Sequence, residues 1–360
     1  MKCGIVGLPN VGKSTLFNCL SNAKALAANY PFATIEPNIG IIPVPDKRLT
    51  QLTLLINPQN TQSAIVEIVD IAGLVKGASK GEGLGNKFLA NIRETHAIIH
   101  VLRCFEDANV THVDGLINPV HDKETVELEL QLKDLETLEK KRDSLKRTAN
   151  SGDKNALKEL EVINKYHQHI SSGNSARSLN LDYDEHILGL NLLTKKPVLY
   201  VCNVDENSIN GNKYTEMVKE AIVNDQSEMQ IISAAIEADI NELDSLNDRE
   251  EFLKEIGLEE PGVNKIINSA YSLLGLHTFF TAGEKEVRAW TIKKGALAPE
   301  AAGVIHTDFE KGFIRAEVIS FENRIKFKTE QACREAGKIS IEGKNYIVCD
   351  GDVIHFRFNV

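Results

Sequence analysis

Long hydrophobic runs are missing from this 360-residue sequence, in which no apolar stretch approaches the roughly 18 residues of a membrane-spanning helix. Met1, Lys2 and Cys3 lead directly into an apolar strand, which leaves no room for a secretory signal. The six cysteines include no C-x-x-C pair and no metal-like spacing, so we expect small buried side chains in a reducing compartment. These absences predict a cytoplasmic protein with no membrane partner.

An excess of basic residues is missing as well, because 51 Asp and Glu oppose 41 Lys and Arg, which leaves a net charge of −10. That balance argues against a protein that wraps nucleic acid with its whole surface. The charge is uneven, however: residues 140–158 hold 7 basic and 2 acidic side chains, and residues 281–360 have a balance of +1. A polyanion is therefore expected to meet the middle of the chain or its C-terminal part.

A phosphate-binding pattern is present near the N-terminus, where residues 7–15 contain G-x-x-x-x-G-K-S between an apolar strand and the start of a helix. Glycines let the backbone present successive N–H groups to phosphate oxygens, and the helix adds its N-terminal partial positive charge. The predicted contacts with the phosphates and with Mg²⁺ come from Asn10, Val11, Gly12, Lys13, Ser14 and Thr15. The pattern therefore predicts that the chain binds a nucleoside triphosphate and that the Ser14 hydroxyl binds Mg²⁺.

A D-x-x-G pattern, Asp70 to Gly73, follows an apolar strand and is predicted to approach Mg²⁺ and the γ-phosphate. Thr34 lies between the two patterns and is predicted to complete the Mg²⁺ shell; a plain loop threonine is the alternative. Ras-like enzymes place a water-orienting glutamine after the glycine, but Leu74 stands here. Another group, or a partner, must then position the attacking water.

The base-reading tetrad of GTPases, N-K-x-D, is incomplete at residues 203–206. Asn203 can still meet the purine N7 edge, but Val204 replaces the lysine and Glu206 is one methylene longer than the usual aspartate. Such a change weakens guanine discrimination by about 1–3 kcal/mol, so ATP becomes a candidate substrate. The backbone of Ser233, Ala234 and Ala235 is predicted to contact the base.

Alternating strands and helices predict an α/β fold with a mostly parallel sheet. Between the two halves of this sheet, leucines at three-, four- and seven-residue intervals (among them Leu128 and Leu157) predict an inserted antiparallel helical hairpin, coiled-coil-like, with a basic tip. The tip is either a nucleic-acid contact or a solvated charge face; its basic residues are Lys140, Lys141, Arg142, Lys146 and Arg147. Beyond residue 279, strand patterns predict a small separate α+β domain.

These features together resemble the Obg-related translation-factor NTPases, specifically the YchF-type ATPase family. The most specific pieces are residues 7–15, 29–40, 70–93, 203–206 and 308–319. The resemblance implies a nucleotide-binding domain at 1–120 and 196–278, a coiled-coil insertion at 121–195, and a TGS domain of β-grasp type at 279–360. It also implies that ATP is hydrolysed in preference to GTP and that the ribosome is bound. For the missing water-orienting group, the family's loop histidine matches His112, whose alternative is an ordinary surface histidine.

The leading hypothesis is a Mg²⁺-dependent ATPase that hydrolyses ATP slowly and binds the ribosome (70S or 50S) as a nucleotide switch. One alternative is a GTP-dependent protein that binds RNA or other nucleic acid through the basic tip and the C-terminal domain, with hydrolysis secondary. A conventional GTPase is a third possibility, because the tetrad retains an asparagine and a carboxylate.

Overall fold

The computed structural model describes residues 1–22, 38–71, 84–107, 117–181, 187, 189–223, 225, 227–243 and 245–359. The chain divides into two compact units, each built from two segments. The first unit contains Met1–Ile41 and Glu67–Ala270, and the second contains Ile42–Val66 and Tyr271–Val360. No helix in these described ranges is long and apolar enough to cross a membrane.

The described strands are β1 (Lys2–Val6), β2 (Ile39–Pro43), β3 (Asn60–Gln62), β4 (Ile65–Asp70), β5 (Ala97–Arg103), β6 (Val198–Asn203), β7 (Glu228–Ile232), β8 (Leu276–Ala282), β9 (Glu286–Lys293), β10 (Phe313–Ile319), β11 (Ser340–Glu342) and β12 (Val353–Phe358).

The described α-helices are α1 (Lys13–Asn22), α2 (Lys47–Ile56), α3 (Leu84–Glu94), α4 (Pro119–Ala149), α5 (Lys154–Ser171), α6 (Lys213–Ile222), α7 (Ala234–Glu242), α8 (Leu246–Glu255), α9 (Gly262–Leu273), α10 (Ala298–Ile305), α11 (Thr307–Lys311), α12 (Phe321–Phe327) and α13 (Glu330–Glu335). Three short 3₁₀ turns, Ala176–Ser178, Leu193–Lys195 and Glu206–Ser208, complete the described helical structure.

The first sheet has the strand order β2-β4-β1-β5-β6-β7, and β4, β1, β5, β6 and β7 run parallel. Every residue of β5 and of β6 is buried, as their continuous apolar runs require of central parallel strands. The predicted α/β class and mostly parallel sheet are confirmed. The carboxyl ends of parallel strands lie at one edge of the sheet, so the last residues of β1, β4, β5, β6 and β7 are brought together there.

The predicted helical hairpin is formed by α4 and α5, which the four residues 150–153 connect. The turn is shaped by Gly152, which has a left-handed φ of 88°, and by Asp153, whose carboxylate accepts from Asn155 N and Ala156 N and caps α5. Apolar side chains from both helices share one core, including Leu138, Leu145, Ile163, Tyr166 and Ile170.

The predicted leucine stripe is partly wrong. Leu128 is 53% exposed and Leu157 is 49% exposed. In the middle of α4, the buried face carries a polar group instead, Asp134, whose carboxylate accepts from Leu193 N at 2.7 Å and Thr194 N at 2.8 Å. Polar anchoring to the chain that follows the hairpin, rather than a continuous apolar seam, therefore holds this part of α4.

A buried charged cluster, which we call the Glu127 network, joins α4 to the sheet. The Glu127 carboxylate accepts from Tyr200 Oη at 2.8 Å and Lys123 Nζ at 2.9 Å, and pairs with the Arg177 guanidinium. Arg177 also pairs with Asp225 at 2.8 Å. Burial alone would raise the pKa of Glu127, but the charges of Arg177 and Lys123 outweigh it and lower that pKa to about 2.

The second unit is an α+β structure around a sheet of order β11-β10-β12-β8-β9-β3. Residues 42–66 belong to it because β3 pairs in parallel with β9, with Thr61 opposite Val287, and because the Arg48 guanidinium binds Asp350 at 2.7 Å. The predicted domain boundaries, which keep residues 1–120 together in the nucleotide domain and separate residues 121–195, stay a prediction; the division into compact units differs from them at residues 42–66.

We expect Glu127→Gln to lower the free energy of unfolding by about 3 kcal/mol at neutral pH, because two buried cations lose their shared carboxylate. A carboxyl group whose pKa is lower in the folded protein stabilises the fold above its unfolded pKa of 4.5, and loses that contribution as the pH falls toward about 2. Urea unfolding should therefore show that the difference between wild type and variant narrows by about 1 kcal/mol near pH 4. Glu161→Gln, which removes an exposed partner of Lys165, is the control and should change little.

Candidate nucleotide site

The predicted phosphate loop lies at the edge of the first sheet. It begins after β1, whose residues Cys3, Ile5 and Val6 are fully buried, and it ends where α1 begins at Lys13. Gly12 has a φ of 89°, and its carbonyl accepts from Leu16 N at 2.9 Å as the first turn of α1. The first N–H groups of α1 therefore face the loop, which forms a backbone site for an anion.

The Lys13 ammonium is held toward the end of β4. Its Nζ lies 3.3 Å from Asp70 Oδ1 and donates to the Ile71 carbonyl at 2.5 Å. The strand register explains this contact, because Ile5 of β1 lies opposite Asp70 of β4. The two sequence patterns, separated in the chain, thus meet through one ion pair.

The donor set at this point fits Mg²⁺. Asp70 Oδ1 is buried and accepts no hydrogen bond from the described residues, so it retains capacity for a cation or its water shell. Ser14, in the first turn of α1, is exposed and adds a hydroxyl oxygen. Carboxylate and hydroxyl oxygens are the hard ligands that Mg²⁺ prefers.

The Asn203 side chain connects three segments of the site. Its Nδ2 donates to the Val11 carbonyl at 2.9 Å, and its Oδ1 accepts from Ala234 N at 3.0 Å. The residue is 5% exposed. The sequence predicts a contact of this amide with the base; in the structure, one of its donors and its oxygen also hold the phosphate loop and the start of α7. One N–H and one oxygen lone pair remain for a ligand.

The carboxylates after β6 have different surroundings. Val204 is buried, and its N–H donates to the Ile232 carbonyl at 2.8 Å. Asp205 accepts from Asn207 N and from Ser208 Oγ, both at 3.0 Å, which commits it to the local turn. Glu206 is exposed and lines the cavity beside the loop. Of the two acids, Glu206 is thus the one placed to meet a bound base.

Phe105, Glu106 and Asp107, which follow β5, form one wall of the cavity beside the phosphate loop. The sequence did not predict this wall. Buried Arg103 shapes it, because Nε donates to the Phe105 carbonyl at 3.2 Å and Nη2 to the Asp107 carbonyl at 3.3 Å. Hydrogen bonds from Tyr214 and Lys213 lower the pKa of Glu106, so the wall carries a negative charge. The position after a buried parallel strand was the available signal for this wall.

These segments surround a cavity of about 1090 Å³. Most of the predicted site residues line it: Asn10, Gly12, Lys13, Ser14, Thr15, Asn203, Val204, Glu206, Ala234 and Ala235. Two predicted residues do not line the cavity but contact residues that do: the Val11 carbonyl accepts from Asn203, and Asp70 pairs with Lys13. Ser233 is buried before α7, and its hydroxyl has no hydrogen-bond partner among the described residues. Thr34, Gly73, Leu74 and His112 lie outside the described residues.

A phosphate loop between β1 and α1, at the edge of a parallel sheet and beside an acidic strand end, defines a P-loop NTPase. Comparison with known proteins agrees with this class and refines it. Residues 2–149 match the family model of the 50S ribosome-binding GTPases, and residues 276–359 match the model YchF-GTPase_C, a protein of unknown function.

Similarity to curated relatives extends over the whole chain. The sequence is 55% identical over 361 residues to the ribosome-binding ATPase YchF of Escherichia coli O157:H7, with 100% of this chain and 99% of that protein covered. It is 51% identical over 365 residues to the Bacillus subtilis protein of the same name, with both fully covered. The solved Schizosaccharomyces pombe YchF GTPase superposes with a TM-score of 0.91 at 38% identity, covering 99% of this chain and 97% of that one. The chain belongs to the YchF family.

We expect Gly12→Ala to lower nucleotide affinity by at least about tenfold, because the new Cβ would lie 2.2 Å from Asn203 Nδ2 and so displace the clamp. Gly152→Ala is a matched control, since that glycine has nearly the same φ, 88°, but no atom within 4 Å of the added Cβ. Titration with a fluorescent nucleotide should show a loss of affinity only in Gly12→Ala. The left-handed backbone conformation is unfavourable for alanine at both positions and should lower the free energy of unfolding of each variant by about 1 kcal/mol. Equal affinities in the two variants would contradict the role of the Asn203 contact.

Proposed function

We propose that the chain is a Mg²⁺-dependent ATPase that prefers ATP to GTP, hydrolyses it slowly, and binds the ribosome as a nucleotide switch in the cytoplasm. The observation that carries this proposal is the cavity that the phosphate loop and the altered tetrad line together, with Asp70 paired to Lys13 of that loop. Full-length relatives known as ribosome-binding ATPases support the assignment.

The phosphate end of the cavity supplies positioning and charge. Backbone N–H groups of residues 10–13 and the start of α1 hold the β- and γ-phosphates, and the Lys13 ammonium moves from Asp70 to the γ-phosphate oxygens. Ser14 and Thr34 would hold Mg²⁺ directly, and Asp70 would hold it through water. The ion, when bound, neutralises negative charge that develops on the transferred phosphoryl group.

The attacking water needs an orienting group, because Leu74 has no hydrogen-bonding side chain. We propose that His112 takes this role as a neutral imidazole, which accepts a proton or hydrogen bond from the water. The support is the family resemblance of residues 109–115 and the position of this segment, which follows the Phe105 wall of the cavity in the chain.

The base end of the cavity supports a preference for adenine. Asp205 is committed to its own turn, and Val204 offers no ammonium, so guanine would be read by Glu206 alone. The rival function is a GTP-dependent RNA-binding protein in which hydrolysis is secondary. Its support is the retained Asn203 and Glu206 together with relatives known as GTPases.

For nucleotide preference, we expect a lower dissociation constant for ATP than for GTP in calorimetric titration with Mg²⁺. Glu206→Asp should move the ratio toward GTP by up to about tenfold, because the shorter carboxylate is the usual partner of the guanine N1 and N2 donors. Glu106→Asp shortens another acid that lines the cavity and should leave the ratio unchanged. A wild-type preference for GTP would favour the rival function.

For catalysis, we expect His112→Ala to slow single-turnover ATP hydrolysis by about 10²-fold or more, with ATP affinity retained, because general-base or water-orienting groups contribute on that scale. His167→Ala is the control, since His167 contacts Glu139 on the helical hairpin at 3.3 Å and is absent from the cavity lining. Unchanged hydrolysis in His112→Ala would remove this residue from the mechanism.

A further inference from the structure

One inner strand of the second sheet, β12, extends beyond its neighbour β8. The two strands run parallel and share a single register pair, Val353 opposite Phe280. Soon afterwards β8 ends at Ala282, where the chain turns back into β9, whereas β12 continues to Phe358. Among the described strands, none therefore pairs with the β8 side of β12 beyond Val353.

Backbone groups of β12 point to this unpaired side. The Asp352 carbonyl, just before β12, accepts from β8 at 2.7 Å, whereas the Asn359 N–H, just after β12, donates to the Gly312 carbonyl beside β10 at 2.9 Å. Because backbone groups alternate in direction along a strand, Phe356 and Phe358 point their N–H and C=O groups to the same side as Asp352. These groups face away from β10 and have no strand partner among the described residues.

A groove of about 650 Å³ lies along this side of β12. The end of β8, at Thr281 and Ala282, contributes to its lining, and β12 contributes residues 353–356 together with Phe358. The free backbone edge of β12 therefore lies inside a concave site rather than on the outer rim of the sheet. Free strand edges are templates for pairing with another chain.

The turn between β8 and β9 is held away from this groove. The Glu284 carbonyl accepts from Gln59 N at 3.0 Å, and the Lys285 carbonyl accepts from Asn60 N at 3.1 Å. Asn60 also donates through Nδ2 to Glu286 Oε1 at 3.1 Å. In the strand order, β3 lies beyond β9 and β12 lies beyond β8, so these bonds hold the turn on the side opposite β12. The groove is thus preformed, which lowers the entropic cost of binding.

The two sides of the groove differ in polarity. Side chains alternate along β12, so Phe356 and Phe358 lie on one side and His355 lies on the other. The first side is apolar, because Phe356 belongs to the buried core and Phe358 stacks on Phe309 of α11 with ring centroids 3.7 Å apart. The second side carries the Glu317 carboxyl group, opposite His355 in the strand register. An extended peptide with alternating apolar and polar side chains would match both sides.

Charge gives this groove no strong preference for either sign. Apart from His355, the ionisable residues of its lining are four carboxylates and one lysine: Glu284, Glu286, Glu317, Glu330 and Lys285. The carboxylates are offset by arginines that lie within 3.5 Å of Glu317, namely Arg315, Arg334 and Arg357. The Trp290 ring, which also lines the groove, is already covered by the Arg288 guanidinium, 3.8 Å from its centroid. Uncharged polar side chains are therefore the best match for the polar side.

We propose that the free edge of β12 binds an extended, uncharged peptide segment of a partner protein, which adds a strand to the second sheet inside the groove. The peptide backbone exchanges hydrogen bonds with Phe356 and Phe358, and its alternate apolar side chains contact Phe309. No residue that lines this groove also lines the nucleotide cavity. The groove is thus an interaction surface beyond the proposed nucleotide-dependent function.

The test uses the full chain and a fluorescein-labelled heptapeptide in which valine and threonine alternate, with affinity measured by anisotropy. Two further peptides carry N-methyl groups, one on all valines and the other on all threonines. In a strand, the valine N–H groups point to one side and the threonine N–H groups to the other. One methylated peptide should therefore lose affinity by at least about tenfold, while the other keeps it. Equal affinities of the two methylated peptides would overturn strand addition.

Gly283→Ile tests the groove from the protein side. Gly283 lines the groove, and an added Cβ would have only the Glu286 carbonyl within 4 Å, at 3.8 Å, so the variant should fold. The new side chain should obstruct the peptide and lower its affinity by at least about tenfold. Gly343→Ile is the matched control, because Gly343 is exposed, has no atom within 4 Å of an added Cβ and is absent from the lining. Equal peptide affinities in the two variants would contradict the proposed site.

Amide hydrogen exchange locates the bound strand. Saturating peptide should slow exchange of the Phe356 and Phe358 amides by at least about tenfold, and it should leave the His355 amide, which points toward β10, unchanged. Protection on β11, an edge strand of the same sheet, would overturn the assignment to β12. Protection of Phe356 and Phe358 that rises with protein concentration before peptide is added would also overturn it, because a second copy of the chain would then fill the groove.

Discussion

The amide of Asn203 is the interaction on which the nucleotide site depends. It is buried at the end of β6, accepts from Ala234 N, and donates to the Val11 carbonyl in the phosphate loop. Loss of the amide would leave two buried backbone groups unsatisfied, each at a cost of about 1–3 kcal/mol. The same amide is why Gly12 must lack a side chain. The phosphate loop, the end of β6 and the start of α7 are therefore connected through one side chain and do not act as three independent motifs.

A buried charged network joins the helical hairpin to the strand that carries this clamp. Tyr200 of β6, on the same strand as Asn203, donates to Glu127 of α4, and Arg177 and Lys123 share that carboxylate. A buried network of this kind contributes little to net stability when intact but is costly to break, so it fixes one arrangement of the helical hairpin on the sheet. The exposed pairs at the hairpin tip have no comparable effect, because water screens them.

Local patterns were sufficient for much of this structure. Residues 7–15 predicted the phosphate loop because all of its parts are contiguous, and alternating strands and helices predicted the mostly parallel sheet because that order is typical of α/β folds. The helical hairpin was predicted from its period, but Leu128 and Leu157 proved to be exposed. Periodicity identifies a helix face, whereas the neighbours that cover that face come from elsewhere in the chain. The same limit explains why no local pattern indicates that residues 42–66 lie in the second compact unit: their partner strand β9 is more than two hundred residues away in sequence.

The sequence alone therefore determined the class of the protein, the phosphate loop and the altered base-reading tetrad, because each is a short pattern whose chemistry depends on adjacent residues. Only the tertiary structure decided that Asn203 bridges to Val11 across 192 residues and that Phe105 forms a cavity wall. These features arise from strand register and from contacts between distant segments, which no local pattern encodes. The phosphate loop specifies where a nucleotide binds, and the fold around it decides which side chains surround that nucleotide.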